Sequence, residues 1–483
     1  MNISQAQKVK LWILGIFGIE FLGLVLFYGY AYPIVLFWGD DWTLILDYKP
    51  ILPIAHSWIV SRILPVWLMD FFMIFGAYVV MPISGLGFLE SMSVGLALWL
   101  ALAVIGMQYA LYKLCSLITK SAVYGLLASM VFVVGGFGAT KISAMPLLYP
   151  ADLNAEGMGY VFTMMCFYLL PYLLNLSLVC VFEYLRLAKL SFKNTKTAAI
   201  VGGGGIFASY IAIFSMTTAS FMLASYAGIV IGFKIFGFLR YGSWRIWRAF
   251  GLFDWFLCAI IVLWCIAAIL DMGSGRVEYC GSFDLSFGMK YTYQTFKMFE
   301  RGFYYLFVFG AIVAAVSVWR LKIMRIEFLA SLLWLLLLGG FYVLVVSKCG
   351  AKYYLMSGFF LSMLVVLAFY SALLCVFSIK SNKTRVQGSL IVSAILCFCI
   401  ASSFTKSYQE RPRAAYKELM MYAKSWVTQV QKAQQNGKHK ITITIPKALP
   451  HWRWQWFMNG FPHTLLRYGI ISDHIEVTFA PME

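Results

Sequence analysis

Charge is what this chain has least of. Charged residues fill 12% of its 483 positions, and only 20 of them are acidic. A water-soluble globule carries roughly a quarter charged residues, so the shortage excludes a soluble fold. Histidines number five and prolines 13, and the ten cysteines form neither a CxxC nor a Cys/His spacing of a zinc site. A redox pair or a structural metal motif therefore has nothing to stand on. No internal repeat is present either. What fills the space is apolar: 62% of residues are hydrophobic and the mean hydropathy is +0.81, more apolar surface than one compact core can bury. The composition is that of a polytopic membrane protein. The net charge of +18 raises the question of nucleic acid. Its basic residues, however, recur in small clusters between apolar runs, as the positive-inside rule requires, and nucleic acid is not expected as a partner.

Topology follows from those clusters. Lys8 and Lys10 precede the apolar run Leu11 to Phe37, which has no small-residue cleavage site and reads as an anchor with a cytoplasmic N-terminus. Asp40 and Asp41, just past its end, then face outward. The run Ile63 to Met81 begins beside Arg62 and contains Pro65 and Asp70. If it crosses once, later basic clusters fall on the wrong side. If it lies at the interface or re-enters, the clusters Lys113/Lys120, Arg186/Lys189/Lys193/Lys196, Arg240/Arg245/Arg248, Arg320/Lys322/Arg325 and Lys380/Lys383/Arg385 all become cytoplasmic. The second arrangement is favoured. It predicts an all-α polytopic domain over residues 1–404, with about eleven spanning helices, an interfacial or re-entrant segment, and an outward loop at 39–62.

The tail, 405–483, alone has a soluble composition. Arg413 to Gln435 reads as a helix ended by Asn436-Gly437, Lys440 to Ile445 as a strand stopped by Pro446, Trp452 to Tyr468 as partly helical, and His474 to Phe479 as a second alternating stretch. A small periplasmic α/β unit is expected, too small to stand without docking on the bundle. Gly202 to Gly205 lack the lysine and serine of a phosphate loop and read as a close-packing or flexible point in a helix.

The constellation with the most chemistry is Trp38-Gly39-Asp40-Asp41-Trp42, followed by His56 and by Ser61-Arg62. A carboxylate at an outer interface can take a proton from an attacking hydroxyl, and a second one can orient that hydroxyl or hold a divalent ion. The plain alternative is a solvated loop whose residues stop the first helix. Trp42 and His56 sit in the same loop. Arg62, Lys348 and Lys352, the last two bracketing a short loop beside Tyr353, are outward cations suited to a phosphate, and each is equally suited to a lipid headgroup. Asp152 and Glu156 are candidates by topology alone. Asp70 lies within an apolar run, where an unpaired carboxylate costs several kcal/mol, and is either functional or paired with Arg62. Cys280 and Cys349 both fall in outward loops, where an oxidising compartment permits a disulfide. The aromatic group Trp452 to Phe457 either stacks on sugar rings or anchors the tail on the membrane.

The cytoplasmic N-terminus, the first helix ending in Gly39-Asp40-Asp41-Trp42, the outer loop closed by Ser61-Arg62 and the outward tail resemble the GT-C class of lipid-dependent glycosyltransferases. Within it, Asp-Asp-Trp followed by Ser-Arg, and the tail with Pro446 and Trp452 to Asn459, are similar to the bacterial glucosyltransferases that modify O-antigen and convert serotype. The resemblance implies a multi-pass bacterial inner-membrane enzyme. Its donor would be a polyprenyl-phosphate-linked sugar, glucose in the nearest group, and its acceptor a lipid-linked glycan on the periplasmic face. It also implies that Asp40 or Asp41 is the catalytic base, with Arg62, Trp42, His56, Asp152, Lys348, Lys352 and Tyr353 about the substrates. No cofactor is fixed by it, and a divalent cation stays open. A polymerase or flippase of the same envelope pathway, or a secondary transporter, are the other readings. The first would rest on arginines lining a cavity, and the second on charges buried at mid-membrane.

Overall fold

A computed structural model describes residues 5–31, 33–36, 41–42, 63–138, 162–189, 195–240, 250–272, 280–296, 301–321, 324–350, 353–378, 413–445 and 460–481. The run 387–404, expected as the last span, lies outside them.

The apolar runs become rods. In order they are α1 (Gln5–Leu26), α2 (Ile63–Phe75), α3 (Phe88–Thr119), α4 (Ala122–Gly138), α5 (Leu170–Ala188), α6 (Thr195–Ile213), α7 (Thr217–Arg240) and α8 (Leu252–Met272). There follow α9 (Leu285–Phe296), α10 (Arg301–Leu321), α11 (Arg325–Cys349) and α12 (Tyr353–Ser378). Single π-helical turns extend three of the rods, Phe27–Ala31 after α1, Gly76–Val80 after α2 and Met165–Leu169 ahead of α5. Among the described residues, 8 helices are long and apolar enough to cross a membrane, and three shorter apolar ones, Ala122–Gly136, Gly202–Ile213 and Phe307–Arg320, accompany them. The chain is a largely helical, multi-pass membrane protein.

The 8 include Leu64–Ser84, the stretch read from sequence as interfacial or re-entrant. Its contacts locate it more closely than its length does. Gly76 and Gly95 bring α2's extension and α3 backbone to backbone, since a Cβ on Gly95 would sit 3.2 Å from the Gly76 Cα. Phe71, Phe72 and Phe75 then surround Trp99 one turn further along. At about 48 Å for its 32 residues α3 exceeds the hydrocarbon thickness, and it is the early, Glu90-bearing part of α3 that carries this hairpin. Gly202, Gly203 and Gly204 behave otherwise than expected for a packing face: among the described residues a Cβ on any of them would meet nothing within 4 Å.

The tail folds as its pattern predicts. It consists of α13 (Arg413–Gln435), β1 (Lys440–Ile445), α14 (Gly460–Arg467) and β2 (Glu476–Pro481). The strands pair in parallel with Ile443 opposite Phe479, so α14 belongs to a crossover connection. Both helices end in the same glycine-capped turn. Gly437 (φ 67°) and Gly469 (φ 68°) adopt the left-handed conformation, while Lys438 N–H donates to Ala433 O and Ile470 N–H to Leu465 O. Trp426, Phe461, Leu465, Ile443 and Phe479 are buried between helices and sheet.

Two ends of the bundle can be distinguished by following contacts. Arg186, at the end of α5, meets Glu327, at the start of α11, so these helices run in opposite directions. Cys349, at the far end of α11, therefore lies at the same end of the bundle as Thr163, just ahead of α5. That is also the end covered by the tail, as shown next.

Candidate functional site

Asp41 and Trp42 are the described part of the acidic loop, and both are buried, with exposures of 0% and 2%. The Asp41 carboxylate accepts two hydrogen bonds on Oδ1, from the Thr163 N–H at 2.7 Å and from the Thr163 hydroxyl. Thr163 lies in the first helical turn, Phe162–Met164, of the rod that becomes α5. Amides of a first turn have no intrahelical partner, and the helix dipole is positive there. Such a position suits a carboxylate acceptor, and the two bonds set the direction in which Asp41 accepts.

The tail closes the other side. Trp42 stands edge-on to Phe461 of α14, with centroids 4.7 Å apart, and its carbonyl accepts from the Thr464 hydroxyl at 3.0 Å. One turn on, Arg467 and Tyr468 bind Asp70 of α2, the guanidinium at 2.9 Å and the phenol at 3.1 Å. Tyr468 also lies against Tyr78 and Phe88, and Lys424 of α13 pairs with Glu90 of α3. Asp70 thus has its counter-ion in the tail. Arg62, the partner expected from sequence, lies outside the described residues.

Asp40, His56, Asp152 and Lys352 lie outside the described residues, as does Glu156, and Tyr353 is the first residue of α12. Lys348 is exposed, and its Nζ donates to the Gly281 carbonyl at 2.9 Å. That bond belongs to the clasp around Cys280–Cys349, which is a disulfide. Asp284 N–H donates to Ser347 O in the same clasp, and Gly288 of α9 lies so close to α11 that a Cβ there would sit 2.9 Å from the Val343 carbonyl oxygen.

A groove of about 650 Å3 runs between α2, α3 and α5, and neither Asp41 nor Thr163 lines it. Its walls include Leu68, Phe72, Trp99, Leu102 and Leu173, and Lys113 closes it toward the far end. From Leu170 to Tyr184 on α5 the groove extends about 21 Å along the helix, two thirds of a hydrocarbon core. Its start is seven residues past Thr163. The far end of the bundle holds a different group. Glu183 takes two bonds from Arg186 and one from Tyr226, and Glu327 approaches Arg186 at 3.4 Å, all lining a cavity of about 120 Å3.

Among the described residues no three His, Cys, Asp or Glu side chains are grouped to hold a metal ion. His463 and His474 do meet, with ring centroids 4.6 Å apart. Sequence reasoning missed Thr163, Thr464, Phe461, Arg467 and Tyr468, because neutral or singly placed side chains form no motif. The one signal was that the tail needed docking and was rich in aromatics. Phe461 and Tyr468 do that docking, whereas Trp452 to Phe457 lie outside the described residues.

Fold and site together define a multi-pass helical membrane protein with a buried acidic corner sealed by its own C-terminal unit. Compared with known proteins, the chain matches no protein-family model and no curated protein.

Proposed function

We propose that this chain is a membrane glycosyltransferase of GT-C type, moving a sugar, glucose in our reading, from polyprenyl phosphate to a lipid-linked glycan of the O-antigen kind. The observation that carries the reading is the Asp41 carboxylate, buried and bonded to Thr163 at the head of the rod whose later residues, from Leu170 on, line a groove that reaches membrane depth. Burial without a role would be costly, and the groove suits a long apolar chain attached to a polar head.

Sidedness is supported by two features. Disulfides persist in oxidising compartments, and Cys280–Cys349 lies at the same end of the bundle as Asp41. Lys113, Arg186, Arg240, Arg320 and Arg325 gather at helix ends on the opposite side, as the positive-inside rule asks of a cytoplasmic face. The reading therefore sets the chain in a bacterial inner membrane with the acidic corner and the tail in the periplasm.

The proposed reaction is one displacement. An acceptor hydroxyl gives its proton to a carboxylate of the Asp40/Asp41 pair as its oxygen attacks the anomeric carbon. The bond from that carbon to the phosphate oxygen breaks, and the departing polyprenyl phosphate takes the electron pair beside Arg62 and a loop lysine. A second reading, secondary transport, is favoured by the Glu183–Arg186–Tyr226–Glu327 group lining a cavity between spans. One assay separates them. Purified protein in liposomes, given polyprenyl-phosphate-sugar and acceptor, is expected to yield glycosylated acceptor. Solute uptake driven by an ion gradient with no transfer would replace the enzyme with the transporter.

A further inference from the structure

The Asp41–Trp42 corner is held from two sides by elements far away in sequence. On one side Thr163 gives Asp41 both its amide and its hydroxyl. On the other, α14 supplies the Thr464 hydroxyl to the Trp42 carbonyl and the Phe461 ring to its indole. The tail is itself latched, through Arg467 and Tyr468, to Asp70. A buried carboxylate with two donors on one oxygen is restricted in direction, whereas a carboxylate on a free loop would have many.

We propose that Thr163 and Thr464 are positioning residues for this corner, so that the C-terminal unit forms a wall of the site rather than an appended domain. The proposal rests on the glycosyltransferase reading for its kinetic consequence, but its geometry can be tested without turnover. Removing the Thr163 hydroxyl leaves the amide bond in place and loosens the carboxylate, which should lower the rate of the bound complex more than it weakens donor binding. Removing the Thr464 hydroxyl should act in the same sense and more weakly, since it holds a neutral carbonyl.

The test uses the full-length protein in liposomes. Thr163→Val is expected to lower kcat by about tenfold to a hundredfold, the range of one hydrogen bond to a charged group, with donor KM changed less than about twofold. Thr163→Ser, which keeps the hydroxyl, should restore most of the rate. Thr464→Val should lower kcat by about threefold to tenfold, again with rescue by serine. Full kcat in Thr163→Val, or equal losses in its valine and serine variants, would overturn the positioning role. Unchanged kcat in Thr464→Val would remove the tail from the site. Hydrogen exchange supplies the readout independent of activity. In Asp41→Ala the Thr163 amide loses its acceptor and should exchange at least about tenfold faster, while the amides around Leu176 stay protected. Equal protection in both proteins would overturn the clasp. A wild-type protein that transfers no sugar would defeat the enzymatic reading alone, because the exchange result decides the clasp separately.

Discussion

The two ends of the bundle use their scarce charges in opposite ways. At the far end the shortest ion pairs join near neighbours, and the distant partner there, Glu327, 141 positions from Arg186, stands off at 3.4 Å. Glu183 and Arg186 stand one turn apart on α5, and Lys234 and Asp254 face each other across the connection between α7 and α8. At the Asp41 end the polar contacts join the start, middle and end of the chain. Asp41 meets Thr163 across 122 positions, Asp70 meets Arg467 across 397, and Trp42 meets Thr464 across 422. Local pairs stitch adjacent helices and form as soon as the helices do. Long-range pairs exist only when the whole chain is assembled, and that assembly is the physical condition for a site composed of several elements.

The largest effect is expected from removing the carboxylate. Asp41→Asn should lower sugar transfer by about a hundredfold to ten-thousandfold, the usual worth of general-base catalysis, with the protein still inserted and folded. Asp40→Asn belongs in the same experiment, since the reading leaves the base to either acid, and full transfer by both single variants would remove the pair from the mechanism. The next largest effect concerns the latch. Arg467→Met leaves the buried Asp70, among the described residues, with Tyr468 as its remaining partner and should weaken tail docking by about 3–5 kcal/mol, seen as earlier release of the 413–481 unit by trypsin. Asp70→Leu combined with Arg467→Met should recover most of that loss, because a well-packed apolar pair replaces a buried ion pair at little cost. No recovery would mean that the latch acts through something other than charge. Smaller again is the disulfide. Cys280 and Cys349 should resist alkylation until reduced. Replacing both with serine should cost about 2 kcal/mol, below the usual range for so long a loop, because the Lys348–Gly281 and Asp284–Ser347 bonds keep it closed.

The same contrast explains what could be read from sequence. Spans were legible because bilayer thickness dictates apolar runs of about twenty residues, and α3, α7, α8, α11 and α12 appear where the hydropathy put them. The tail's helix and strands were legible because Asn436-Gly437 and Pro446 punctuate them and because Ile441, Ile443 and Ile445 alternate with threonine. Cys280 and Cys349 were legible as a candidate pair from topology. Asp41 was legible by its place after the first apolar run, although the helical rod itself ends at Ala31, ahead of the expected Phe37. Its partners were not. Thr163 is one threonine among many, and no periodicity relates residue 70 to residue 467. Asp70 was read as functional or as paired with nearby Arg62, which lies outside the described residues, and among the described residues its counter-ion comes from the other end of the chain. Gly202 to Gly205 were read as a close-packing or flexible point, and of the two the packing reading fails at Gly202, Gly203 and Gly204, which face open space among the described residues.

The smallest effect sharpens the comparison from the far end. Glu327 reaches Arg186 at 3.4 Å through one oxygen, while Arg186 keeps its shorter pair of bonds to Glu183. Removing the charge in Glu327→Gln leaves a side chain of the same shape and leaves Arg186 neutralised. The expected loss of thermal stability is thus under about 1 kcal/mol, with sugar transfer unchanged. The measurement is thermal unfolding in detergent together with the liposome assay. A loss approaching that of Arg467→Met would show that the far end, too, depends on contacts between distant helices. A loss of sugar transfer with stability intact would give its cavity a functional role and return weight to the transporter reading. Near-silence in both assays would show that at this end the local Glu183–Arg186 pair suffices and the contact from the distant helix adds little.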